Sequence, residues 1–170
     1  MDRRAVHEQW ERDRATLHEL VGAATAADLR RRSRGTRWTN RQLVFHLVFG
    51  YQIVRALLVL IRVFGRLPDL VSRGFAAVLN AATPPFHVIN YLGSCGGGLI
   101  GPRFAAAWLD RIIASLHRSL DQAGEADLAR GMHYPTRWDP FFRPYMTLAD
   151  VYRYPARHFA FHLEQLTLDQ

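Results

Sequence analysis

The sequence predicts an all-α fold, a four-helix bundle formed as a single domain over residues 1–170. Three observations predict it. Apolar residues recur at helical spacing in several long stretches. Helix-start signals stand directly in front of two of them. No stretch alternates polar and apolar residues over a useful length. A chain of 170 residues is long enough to bury a full hydrophobic core.

Residues 2–24 read as the first helix. Val6, Trp10, Leu17, Leu20 and Val21 fall on one stripe, and Gly22 weakens the last turn. An arginine-rich stretch follows (Arg30, Arg31, Arg32, Arg34, Arg37) and reads as a solvated loop. Thr39 followed by Gln42 is a capping box that opens the second helix. From Leu43 to Gly65 this helix is apolar almost all round, which suits either the centre of a core or a bilayer. His46, Gln52, Arg55 and Arg62 interrupt the run, and an arginine at mid-bilayer costs about 2.5 kcal/mol or more, so the core is expected. Residues 69–82 form a further apolar helical piece, ended by Thr83-Pro84-Pro85. Residues 86–101 carry five glycines and read as loop, turns or a flexible lid, with no phosphate-binding pattern and with an inert Cys95. Pro102 suits the first position of the third principal helix, whose stripe is Phe104, Trp108, Ile112, Leu116 and Leu120 and whose stop is Gly124. A polar linker and an aromatic, proline-rich loop or short strand lead into the last helix, 147–168. Thr147 caps it, Asp150 lies in its first turn, and Pro155 is expected to kink it. The connection between the second and third principal helices is long.

The net charge is +7, and all 22 basic residues are arginine, the signature of a GC-rich genome rather than of a functional demand. The arginine loop could meet nucleic acid, but no recognition helix or aromatic-basic platform accompanies it, so neither nucleic acid nor membrane is an expected partner. One cysteine excludes an internal disulfide framework. The charged start MDRRAVHEQWERDR carries no apolar signal segment. The expected location is cytoplasmic.

The last helix carries His158 and His162, one turn apart and on one side. Two imidazoles so placed can bind one metal ion, and a third is needed to hold it firmly. His46, the only titratable residue between Leu43 and Gly50, can face the pair if the helices pack as a bundle. Three neutral imidazoles leave coordination positions open, as in a catalytic rather than a structural site. Imidazole accepts zinc, nickel, iron and other divalent ions, zinc or nickel being the leading expectation. The zinc-protease pattern requires a glutamate after the first histidine, where Phe159 stands, so peptide hydrolysis of that type is not expected. Gln165, Tyr152 and Asp139 are the candidates for residues that support the ligands. His7, His18, His87, His117 and His133 read as surface or packing residues.

Two phrases, WTNRQLVFHL and MTLADVYRYPARHFAFHLEQL, resemble the two signature segments of the DinB (DinB/YfiT-like) superfamily. The resemblance implies an up-down-down-up bundle with a long crossover and a divalent metal on three histidines, which map onto His46, His158 and His162. It also implies thiol-dependent S-transferase or isomerase chemistry with mycothiol or bacillithiol as cosubstrate, the arginine-only composition favouring mycothiol. Bundles of this kind often pair through helices, so a homodimer is expected. The leading reading is therefore a metal-dependent S-transferase acting on an electrophilic small molecule. The alternative is a non-catalytic bundle that holds a metal or small ligand in a stress response. Residues 57–101 have no clear counterpart in the family pattern, and could wall an apolar pocket or form a dimer surface.

Overall fold

The computed structural model describes residues 1–168. Its helices are α1 (Arg3–Ala23), α2 (Ala26–Arg30), α3 (Asn40–Phe64), α4 (Asp69–Ala81), α5 (Thr83–Gly97), α6 (Pro102–Asp121), α7 (Glu125–Ala129) and α8 (Leu148–Leu163). The strands β1 (Gly131–His133) and β2 (Tyr145–Thr147) pair antiparallel, Met132 opposite Met146. Four long helices, α1, α3, α6 and α8, make the bundle. α3 packs against α8 and α6, and α1 closes the other side against α6 and α8. α4 and α5 fill the long crossover and lie along α3.

The helix starts follow the sequence closely. At α3, Gln42 Oε1 accepts from the Thr39 amide at 2.8 Å while the Gln42 amide donates to Thr39 Oγ1. At α8 the same box joins Thr147 and Asp150. Each box satisfies two amides that the first turn leaves without partners. α8 runs through Pro155 without a break, and Pro155 is buried.

Three expectations are corrected. Residues 86–101 are not a loop, because α5 extends to Gly97. Pro84 and Pro85 sit in its first turn, where a proline costs no helical hydrogen bond. Two glycines at its end serve close packing: a Cβ on Gly97 would lie 2.0 Å from the Phe45 ring, and one on Gly98, just after the helix, would lie 2.7 Å from Gln42. Gly124 does not end α6, which stops at Asp121; it caps α7, within the stretch expected to be a linker. The arginine-rich stretch is more structured than a solvated loop. Thr25 and Asp28 form a capping box for α2, Arg32 bridges Thr39, and Gly35 turns the chain at a φ of 70°.

The core explains the bulk of the apolar pattern. Trp10, Leu17, Leu47, Tyr51, Leu109 and Tyr152 are fully buried. α3 is long and apolar enough to cross a bilayer, yet 61% of its most apolar window lies inside the fold, as befits the central helix of a bundle. One polar pair is sunk among these residues. Tyr51 Oη donates to Asp13 Oδ2 at 2.5 Å, and Gln9 Nε2 donates to Oδ1 at 2.8 Å. Burial pushes the Asp13 carboxyl up, against the pull of those two donors. Tyr51→Phe removes one donor and leaves a buried carboxylate oxygen unpaired. The expected cost is about 1–3 kcal/mol, read as a lower urea midpoint with an unchanged m-value.

Asn40 closes the fold near the histidines. Its side chain is fully buried, its amide donates to the Asp28 carbonyl at 2.8 Å, and its oxygen accepts from the Thr167 amide at 3.1 Å. The segment after α8 is thereby tied to the start of α3. The Arg34 amide adds a hydrogen bond to the Gln165 carbonyl at 2.7 Å.

Candidate metal centre

His46 comes from the first half of α3, and His158 and His162 from the second half of α8. The two helices pack side by side, and the three rings converge. Ring centroids are 5.1 Å apart for His46 and His158, 4.7 Å for His46 and His162, and 4.5 Å for His158 and His162. One nitrogen from each lies within 4.8 Å of the others, so the three could hold one ion.

The hydrogen bonds select tautomers. Ser94 on α5 donates its hydroxyl hydrogen to the Asn90 carbonyl at 3.0 Å, so toward His46 Nδ1, also at 3.0 Å, its oxygen accepts. His46 therefore carries its proton on Nδ1 and presents a bare Nε2. Gln165 Oε1 accepts from His162 Nδ1 at 2.7 Å, with the same consequence. His158 forms no hydrogen bond among the described residues. Its Nδ1 is buried without a partner, and its Nε2 stands 3.9 Å from Asp139 Oδ2. A buried ring nitrogen without a partner is costly unless something else satisfies it, and a cation held by the three imidazoles would engage one nitrogen of this ring. Burial, then the neighbouring His162, holds His46 far below an ordinary histidine, at about 3. Burial, His46 and His162 push His158 well down, and burial lowers His162. All three are neutral at pH 7, the form that ligates metals. The donor set fits a divalent ion that accepts imidazole.

Gly50 is part of this construction. A Cβ there would meet His158 Nδ1 at 2.3 Å and Cε1 at 2.6 Å. Only a residue without a side chain lets the ring lie against α3. In an ordinary helix interior Gly→Ala gains up to about 1 kcal/mol. Gly50→Ala should instead displace the imidazole and lower metal affinity at least about tenfold, as a displaced ligand must. Competition with a chromophoric chelator checks this.

The supporting residues divide. Gln165 meets His162 as described. Asp139 also lies at the site: its Oδ2 accepts from Tyr154 Oη at 2.7 Å and its Oδ1 from the Phe141 amide at 2.8 Å. Burial raises its carboxyl, only partly offset by those two donors. Tyr152 is not at the site. Six residues before His158, it points about 120° away around α8. There it is buried against Trp10 with its hydroxyl 2.9 Å from Ser119 Oγ. The outlying histidines are also better partnered than the sequence indicates. His7 and His117 stack at 4.5 Å and meet Asp121 and Glu11 respectively, while His18 meets Asp110 and His133 meets Asp69. His87 borders the cavity described next. Ser94, Gly50, Tyr154 and Trp38 are site residues that sequence reasoning misses. Trp38, whose ring centroid is 4.5 Å from that of His46, heads the WTNRQLVFHL phrase. The other three sit in helices and acquire meaning only through packing.

The histidines face a cavity of about 530 Å3. α3, α4, α5, α8 and the segment between the strands all contribute to its wall. Residues 57–101 thus supply much of the pocket.

Set beside known proteins, the family model of the DinB superfamily matches residues 9–166. The chain belongs to the DinB superfamily. No curated protein matches it significantly. A solved DinB-like structure, YfiT from Bacillus subtilis, superposes with a TM-score of 0.67 at 17% identity, covering 96% of this chain and 82% of that one. That protein is described as "a probable metal-dependent hydrolase with an unusual four-helix bundle topology". At this identity the likeness concerns the fold, and it establishes that this DinB chain is built on the same four-helix bundle.

Proposed function

We propose that this DinB protein is a metal-dependent S-transferase that joins a low-molecular-weight thiol, of the mycothiol or bacillithiol type, to an electrophilic small molecule. The observation that carries the reading is a trio of neutral imidazoles, His46, His158 and His162, opening onto a large apolar cavity. A divalent ion held by the three would supply Lewis acidity and favour the thiolate over the thiol. The protein's own groups do the rest. Ser94 and Gln165 fix the orientation of two rings, the aromatic wall excludes water, and Asp139 offers a carboxyl that can hold or accept a proton beside His158. In the reaction the thiol loses its proton, sulfur bonds to the electrophilic carbon, and the displaced electron pair leaves with the leaving group or is quenched by a proton. A cytoplasmic setting, where such thiols stay reduced, and pairing into a homodimer belong to the same proposal.

A second reading, hydrolysis, is favoured by the description of YfiT, and a third is a metal- or ligand-binding bundle without turnover. Product analysis separates them. Metal-loaded protein is given mycothiol or bacillithiol and 1-chloro-2,4-dinitrobenzene, and separately a panel of esters and amides. Thioether formed above the uncatalysed rate and abolished by a chelator supports the transferase. Metal-dependent uptake of water oxygen in its place moves the assignment to a hydrolase. One bound metal with neither product leaves the binding protein.

A further inference from the structure

The chain has 22 arginines, yet among the described residues no arginine and no glutamate lines the cavity in front of the histidines. Its charged or titratable lining is confined to His46, His87, His158, His162, Asp139 and Tyr154 among the described residues, with Tyr134 as a further phenol. Apart from the Asn90 amide, the wall is otherwise mainly aromatic and aliphatic: Phe49 from α3, Phe75 from α4, Phe86 from α5, Trp138 and Phe142 from the segment between the strands, and Phe161 from α8. Phe86 and Trp138 stack with centroids 3.9 Å apart and planes 6° from parallel, forming a flat double ring at the wall. The rim is apolar too, since Ile89 borders the cavity and is 70% exposed.

We infer that the electrophile of this site is an uncharged, largely aromatic molecule of drug-like size, and that electrophiles whose carboxylate or sulfonate would lie against the wall, away from the histidines, are disfavoured. The inference rests on the proposed activity only in naming the ligand a substrate; the binding preference follows from the wall itself. Away from the ion that the three histidines would hold, an anionic group in this space finds no guanidinium or ammonium, and a charge buried against the apolar wall without a partner is strongly disfavoured. The one carboxyl inside, Asp139, adds repulsion whenever it is ionised. A planar neutral ring system gains apolar burial along the whole wall and offset or edge contacts with the aromatic side chains. The volume of about 530 Å3 lies in the range of small-molecule sites, which run from roughly 300 to 1,000 Å3.

The test is binding of N-phenyl-1-naphthylamine, an uncharged fluorescent probe, to the full chain as purified, with metal content measured on the same sample. It is then displaced by 2-methoxynaphthalene and by naphthalene-2-sulfonate, a weak metal ligand of similar shape. Micromolar probe binding is expected, with the sulfonate at least tenfold weaker than the neutral competitor. Gly93 borders the cavity, and a Cβ placed there would meet nothing within 4 Å. Gly93→Trp can therefore plug the space without a clash at its first carbon, and should weaken the probe at least tenfold. Ala56→Trp, from α3 on another wall of the same space, is the second plug should the first not fold. Equal or tighter sulfonate binding, or plugs that fold normally and leave probe affinity unchanged, overturns the inference. Probe binding without bound metal removes the proposed activity and leaves this preference standing. One equivalent of metal and thiol turnover without probe binding does the opposite.

Discussion

His158→Ala yields a folded bundle that no longer retains a metal ion. The variant deletes one imidazole of three and leaves His46 and His162, whose ring centroids are 4.7 Å apart, as a two-point site. Loss of a residue that merely supports a ligand costs roughly 10–100-fold in affinity. Deleting the ligand itself should exceed that, taking metal content at micromolar metal from about one equivalent to a small fraction. The fold is expected to survive. His158 forms no hydrogen bond to lose among the described residues, and its Nδ1 is already buried without a partner. Elemental analysis of protein purified without a histidine tag, beside circular dichroism melting, reads both quantities. His18→Ala is the control, since His18 lies on the surface of α1 against Asp110. Full metal content in His158→Ala, or equal loss in His18→Ala, would remove the three-histidine site.

Acidification destabilises the metal-free protein, and the histidines set the window. His46 has an ordinary value of 6.5 and is held at about 3 in the fold. Between those two values the unfolded chain binds a proton that the native chain refuses, so stability rises with pH and is lost as pH falls below 6.5. At pH 5 His46 alone accounts for about 2 kcal/mol relative to pH 7.5. His158 and His162 are shifted the same way and add to it. Asp13 and Asp139 act in the opposite sense. Their raised carboxyls contribute stability below the ordinary value of 3.8 that fades as pH rises through the shifted value. In the holoprotein, protons compete with the ion for the same nitrogens, so metal release should follow the same direction. Urea denaturation of chelated protein at pH 5 and pH 7.5 checks the sign, and a His46→Leu variant should show a shallower slope. Equal stability at the two values, or an unchanged slope in the variant, would mean that the imidazoles are not buried neutral.

The candidate site is legible in the sequence to the extent that local rules reach. His158 and His162 declare a shared helix face by their spacing, and Gln165 is close enough along the chain for its contact with His162 to be anticipated. The sequence offers no geometric reason for Asp139, and only the segment between the strands, folded back on α8, brings it within 3.9 Å of His158. Tyr152, a candidate on the same helix, faces the core away from the histidines, where it is buried against Trp10 and its hydroxyl meets Ser119. Ser94 stays hidden as long as residues 86–101 read as loop. A run of glycines has low helix propensity, and nothing local reveals that Phe45 on α3 requires the missing side chain of Gly97.

The sequence by itself determined the four long helices and their starts at Asn40, Pro102 and Leu148. Capping boxes, proline at a first turn and apolar periodicity are interactions between residues a few positions apart. It determined the histidine pair on α8 for the same reason. The tertiary structure decided what lies across helices. It brought His46 to that pair, chose the tautomers through Ser94 and Gln165, and required glycine at position 50. It also turned the glycine-rich crossover into α5 and the wall of an aromatic cavity. These outcomes depend on burial and on contacts between residues far apart in the chain, and of them only the joining of His46 to the pair is also implied by the resemblance of the two signature phrases.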